Sequence, residues 1–292
     1  MKIAFFGRAF DPAFLDNFRL MVSIMEERVS QFLVYEGLYD HIKGYVQFNK
    51  PFRVLPAGEP PDKDTFCMIS IGGDGTLLDT ITLLQNSGIP VLGINTGRLG
   101  FLSAISTDEI TYASKALISG DYAIDNRAML QLQSPTDLFG DFNYALNELT
   151  VLKRDNSSMI KIRAYVDDQF LNTYWADGLI ISTPTGSTGY SLSCGGPIIS
   201  PESKTLIITP IATHNLTVRP IVIPDNCTVK LQVSGRTQDY LLTLDSRSRP
   251  MNTTEELLIK RAPFSINLIG IGQKDFYKTI RNKLAWGLDK RN

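Results

Sequence analysis

Two rhythms of apolar and polar positions divide the chain. Lys2 to Gly7 is a short apolar run closed by glycine, the pattern of a buried strand entering a turn. From Phe14 to Phe32 the residues Phe14, Phe18, Met21, Val22, Met25, Val29 and Phe32 recur at helical spacing, which predicts one helix across that range. Tyr35 to Val46 predicts a second helix. Pro51, Pro56, Pro60 and Pro61 confine Phe48 to Asp64 to a loop around at most one short strand. Phe66 to Ile71 then reads as a strand, Thr76 to Gln85 as a helix and Pro90 to Ile94 as another strand. Strands alternating with helices imply a parallel sheet with helices on its faces. Residues 1–100 are therefore expected to form a Rossmann-like α/β domain.

Past residue 100 the rhythm shortens. Glu109 to Ile118 predicts a helix, followed by strand-like runs at Gln131–Gln133, Tyr144–Leu152, Ile160–Val166 and Leu179–Ser182. Further runs lie at Thr205–Ile208, Ile221–Ile223, Val229–Val233, Tyr240–Leu244 and Ile266–Ile269. Turn residues punctuate them, as in an antiparallel and mainly β second domain, expected over residues 101–273. The tail, residues 274–292, carries the amphipathic helix pattern "DFYKTIRNKLAW", which can return to the first domain.

Charge and composition narrow the function. The 292 residues carry 29 basic and 30 acidic side chains, a formal net charge of −1, which argues against a general nucleic-acid binder. No apolar run approaches the length needed to span a bilayer, and the apolar start "MKIAFF" is too short for a signal-peptide core. Cys67, Cys194 and Cys227 lie far apart and match no zinc or disulfide spacing. A reduced cytoplasmic protein without membrane or nucleic-acid partners is expected.

One short stretch changes the picture. "SIGGDGTLLDTI", residues 70–81, hands an apolar strand to a helix through Gly72, Gly73, Asp74, Gly75 and Thr76. Glycines at such a turn let backbone N–H groups crowd around a phosphate at the positive end of a helix. The turn is neither a P-loop nor the G-x-G-x-x-G fingerprint. Asp74 would repel phosphate unless it has a separate task. It could hold a divalent cation, accept a proton from an attacking hydroxyl, or simply cap the following helix. A second stretch, "TPTGSTGYSLSCGGP" at 183–197, offers hydroxyls at Thr188, Tyr190, Ser191 and Ser193 and close backbone approach at Gly189. Two acidic points stand nearby in sequence: Asn147-Glu148 inside an apolar run, and Asp177 ahead of the strand that feeds this loop.

"GGDGT" at 72–76, "NE" at 147–148, "DG" at 177–178 and "TPTGSTGYSLSCGGP" at 183–197 together resemble the NAD kinase family in order and spacing, and "HNLTVRPIVIP" at 214–224 extends the resemblance. That likeness implies an α/β domain followed by a mainly β domain. It implies transfer of the γ-phosphoryl group of ATP to the 2′-hydroxyl on the adenosine ribose of NAD, with a divalent cation such as Mg²⁺ and a homodimeric or homotetrameric assembly. By resemblance Asp74 is the general base, and Gly72, Gly73, Gly75 and Thr76 form the phosphate-binding loop. Asp74, Gly75, Asn147, Glu148, Asp177, Thr188, Gly189, Tyr190, Ser191, Leu192 and Ser193 match the NAD-binding positions. No protein side chain is expected to act as a dedicated metal ligand. The chain departs from the family's pattern at Asp245-Ser246-Arg247, where Asp-Gly-Gln is common, and at Trp175, where a basic residue is common. Asp245, Arg247 and Trp175 are therefore further candidates for contact with the ligand.

Overall fold

The computed structural model describes every residue except 98–99, 104, 155–157, 237–238, 273–275 and 288–292. The chain divides into two compact units, Met1–Asn126 with Ile266–Asn292, and Arg127–Ser265.

The first unit runs β1 (Lys2–Gly7), α1 (Leu15–Met25), β2 (Gln31–Tyr35), α2 (Glu36–Ile42), β3 (Phe52–Leu55), β4 (Thr65–Ile71), α3 (Asp74–Leu84), β5 (Val91–Ile94) and α4 (Ile110–Ser119). The strands pair in parallel in the order β5-β4-β1-β2-β3. Phe5 sits at the centre of the core, its ring 5.3 Å from that of Phe18 on α1 and 5.5 Å from that of Phe32 on β2. The helix expected from Phe14 to Phe32 ends at Met25, and its last residues belong to a strand. Phe32, Leu33, Val34 and Tyr35 are all buried, as a central parallel strand covered on both faces requires. Phe32 falls on the helical register of α1 by coincidence of spacing.

The chain enters the second unit along β6 (Ala123–Ser134). It continues through β7 (Tyr144–Ala145), β8 (Glu148–Lys153), β9 (Ile160–Val166), β10 (Gln169–Ala176), β11 (Gly178–Ser182) and a one-turn helix α5 (Tyr190–Ser193). Then follow β12 (Thr205–Ile211), β13 (Ile221–Pro224), β14 (Val229–Ser234), β15 (Asp239–Leu244), β16 (Arg247–Asn252) and β17 (Glu256–Gly270). One antiparallel sheet has the order β13-β12-β11-β8-β15-β16. A second contains β10-β9-β14-β17, again antiparallel. A single apolar core draws on both, from Ile162, Leu231 and Ile259 in one and Val151, Ile181, Ile208 and Leu242 in the other. The α/β and mainly β character of the two units is as the residue pattern implies.

Past Ser265 the chain is back in the first unit, where the end of β17 pairs in parallel with β5 at Leu268 and Val91. It is followed there by α6 (Phe276–Leu284). The units divide at 126/127 and 265/266 rather than near residues 100 and 273, because α4 packs on the core that contains α1 and the end of β17 joins the parallel sheet.

Candidate functional site

In the first unit β4 delivers the chain to the glycine turn. Gly72 has φ +150°, and a Cβ there would lie 2.3 Å from the Thr76 Oγ1. Only glycine fits that position. Gly73 precedes α3 as its N-cap, with extended backbone and no side-chain cap bond, so Asp74 is the first residue of the helix. A Cβ on Gly73 or Gly75 would meet no atom within 4 Å, which leaves the backbone on that side open to a ligand. The Asp74 carboxylate turns away from its own helix end. Its Oδ2 accepts from the Phe101 backbone N–H (2.8 Å), and its Oδ1 from those of Leu102 (3.1 Å) and Ser103 (3.0 Å). Helix capping is thus not its task.

Sequence reasoning missed this clamp. It depends on Gly100, where a Cβ would fall 2.0 Å from the Asp74 Oδ1. The Lys283 ammonium of α6 donates to the Gly100 carbonyl and lies 5.8 Å from the Phe101 ring centroid. Burial pushes the Lys283 pKa down, and the nearby Asp74 charge opposes that shift. The available signal was "NTGRLGF" at 95–101, a second glycine cluster after a strand.

The second unit gathers most of the other candidates. The break between β7 and β8, within a stretch expected to be one strand, frees the backbone N–H groups of Leu146, Asn147 and Glu148. All three donate to the Asp245 carboxylate, at 2.8, 2.8 and 3.2 Å. Gly186 packs against the same segment; a Cβ there would lie 2.1 Å from the Asn147 carbonyl oxygen. A Cβ on Gly189 would meet the Glu148 Oε2 at 3.0 Å. Glu148 is pushed up to about 8, chiefly by burial and then by the Asp245 charge, with the Tyr190 backbone N–H opposing. Its Oε2 is buried and has no hydrogen-bond partner among the described residues. Burial also pushes Asp245 up, but three amides and Arg247 oppose it. Asp245 thus has donors around it that Glu148 lacks, while burial raises both carboxyls.

The hydroxyl-rich loop splits into inward and outward members. Ser191 Oγ lies 2.8 Å from Thr209 Oγ1 in the interior, and Thr188 Oγ1 donates to the Thr185 carbonyl (3.3 Å). Tyr190 and Ser193 are exposed, and Gly189 and Leu192 are half-buried. Asp177 pairs with Lys153 at 2.6 Å and bears electrostatically on Tyr190, whose pKa is raised mainly by burial. Trp175 is 54% exposed, with the Lys161 ammonium 5.6 Å from its ring centroid. Arg247 is committed to the chain itself: it donates to the carbonyls of Phe142 (2.6 Å) and Tyr144 and lies 5.1 Å from the Phe142 ring centroid. Among the described residues no group of three or more His, Cys, Asp or Glu could hold a metal ion.

Solved structures share this fold. Yeast NADH kinase complexed with NADH superposes with a TM-score of 0.86 at 21% identity, covering 99% of this chain and 89% of that one. An NAD kinase from Archaeoglobus fulgidus in complex with ATP gives 0.72 at 23% identity, over 98% of each chain. Residues 24–122 match the ATP-NAD kinase N-terminal domain and residues 146–271 the ATP-NAD kinase C-terminal domain. NAD kinases of Flavobacterium psychrophilum and Cytophaga hutchinsonii are 46% and 43% identical to this chain, each over the full length of both proteins. That of Bacteroides fragilis is 41% identical, again end to end. The chain belongs to the NAD kinase family. By that membership it is an enzyme of phosphoryl transfer.

Proposed function

We propose that this chain transfers the γ-phosphoryl group of ATP to the 2′-hydroxyl of the adenosine ribose of NAD, giving NADP and ADP, with Asp74 as general base. The observation that carries the reading is the state of the Asp74 carboxylate. A carboxylate has about four acceptor positions. Among the described residues Oδ1 takes two backbone N–H groups and Oδ2 takes one, so Oδ2 keeps a lone pair for a further donor on a side chain held by three bonds. A ribose hydroxyl is a weak nucleophile at neutral pH, and a positioned base of this kind contributes about 10²–10⁴-fold. The open backbone at Gly73 and Gly75, beside the N-terminus of α3, suits the phosphates that must lie next to that base.

In this reading Asn147, Glu148, Asp177, Gly189, Tyr190, Leu192 and Ser193 hold the dinucleotide. A protonated Glu148 can donate to a ligand acceptor as well as accept from a hydroxyl. Thr188 and Ser191 shape the loop through their interior bonds. A magnesium ion fits as a companion of the ATP phosphates, which with water supply the oxygen ligands it prefers. When bound it neutralises charge on the phosphates. Homodimeric or homotetrameric assembly and work in the cytoplasm complete the proposal. Among the described residues no helix is long and apolar enough to cross a membrane.

The test is NADP formation from NAD, ATP and magnesium, read with an NADP-specific dehydrogenase, for the wild type and for Asp74→Asn. The wild type should make NADP. The variant should bind NAD with little change and lose about 10²–10⁴-fold in kcat. Equal turnover by the two would remove Asp74 from the base role.

A further inference from the structure

Resting on the base role of Asp74, we infer that Lys283 of α6 is a positioning residue for that carboxylate, acting through the peptide group between Gly100 and Phe101. The ammonium donates to the carbonyl of that peptide, and the N–H of the same peptide donates to Asp74 Oδ2 at 2.8 Å. One planar group therefore carries a hydrogen bond at each end. A charged donor on the carbonyl polarises the amide and strengthens the bond its N–H makes on the other side. Among the described residues Oδ2 accepts one bond where Oδ1 accepts two, so the relay fixes the oxygen better placed to take the ribose proton.

The surroundings leave Lys283 few other tasks. Its side chain is partly buried, runs beside the Phe101 ring, and is coupled electrostatically to Asp74. Asp79, the other carboxylate of α3, is already paired with Arg8 at 2.5 Å. The loop residue at the junction is fixed as glycine by its contact with Asp74. Lys283 thus brings a positive charge from the far end of the sequence to a loop that itself carries the donors for the base. The relay therefore holds Oδ2 in place.

The test is a double-mutant cycle with the full-length chain. Lys283→Met should lower kcat by about 10–100-fold, the scale expected when a reacting group is displaced by a fraction of a side-chain length, with KM for NAD changed far less. Lys283→Arg should restore part of that kcat while leaving KM for NAD unchanged. In an Asp74→Asn background, Lys283→Met should cost no more than about 2-fold, since the group it serves is already disabled. Unchanged kcat in Lys283→Met beside an inactive Asp74→Asn would overturn the inference while leaving the base reading intact. The same factor of loss in both backgrounds would also overturn it, marking a general structural role. Full turnover by Asp74→Asn would overturn both readings. Should Lys283→Met fail to fold, Lys283→Gln keeps an N–H donor for the Gly100 carbonyl without the charge. It should lower kcat by a smaller factor, about 10-fold, with KM for NAD nearly unchanged, and a kcat equal to that of the wild type would refute the part played by the charge.

Discussion

Two aspartates in this chain are anchored by the same device. Asp74 and Asp245 each accept three consecutive backbone N–H groups, from residues 101–103 and 146–148. Ionised acceptors form the stronger class of hydrogen bond, so each cluster fixes a loop and a carboxylate together. Asp74 was legible in the sequence because an acidic residue inside a glycine turn is chemically odd. Its clamp was not, since the donors lie 27 to 29 residues away and backbone amides carry no side-chain signature. Gly100→Ala tests the clamp directly. A methyl group 2.0 Å from the carboxylate cannot coexist with the present geometry. The variant should stay folded and lose about 10²-fold in kcat, as expected for a reacting group shifted by about 1 Å. Steady-state assay beside a thermal melt decides it; an alanine variant with full kcat would show that the clamp does not matter to turnover. Asp245, a candidate for ligand contact on sequence, spends its carboxylate on the chain. Asp245→Ala should lower stability by about 1–3 kcal/mol, the cost of leaving buried donors unsatisfied, as a shift in the urea midpoint.

At the level of elements, most of what could be read was buried on one face or both, although β2, buried as well, begins inside the helix the spacing predicts. β1, β4 and β5 announce themselves as apolar runs, and α3 and α4 as periodic ones. β10 and β16 did not, because each lies at the edge of its sheet. Edge strands alternate weakly, and β16 even tolerates Pro250. The β7–β8 break was hidden inside an apolar run, and the Asp245 bonds to its freed amides account for it together with the Thr183 bonds to Leu146 and Asn147. The junction of β4 and α3 makes its own demand. Gly72 combines a φ that disfavours side chains with a Cβ position 2.3 Å from the Thr76 hydroxyl. Gly72→Ala should therefore cost about 1–3 kcal/mol. Chemical denaturation reads that loss. A variant as stable as the wild type would mean that the turn relaxes without penalty.

On the scale of the whole molecule, the buried Glu148 makes folding stability depend on pH. Its folded pKa of about 8 stands above its ordinary value of 4.5, with burial the main cause. Below about pH 4.5 both the folded and unfolded chains hold the proton, and the group contributes no difference. Between about 4.5 and 8 the unfolded chain releases its proton while the folded chain keeps it, so stability falls as pH rises. Above about 8 both states are ionised and the full penalty, on the order of a few kcal/mol, is in place. Asp245 shares the direction through burial, with its three amide donors and Arg247 opposing. Glu148→Gln removes the titration while nearly keeping the shape. Urea unfolding at pH 5 and pH 8 should show the wild type losing stability across that interval and the glutamine variant losing clearly less. The gap between the two curves should widen with pH. NAD, if it accepts from protonated Glu148, should steepen the wild-type slope by favouring the proton-bound form, and should leave the glutamine curve's slope unaltered. Parallel wild-type and variant curves would mean that Glu148 is ionised in the folded protein, and the role of a protonated acid in dinucleotide binding would fall with it.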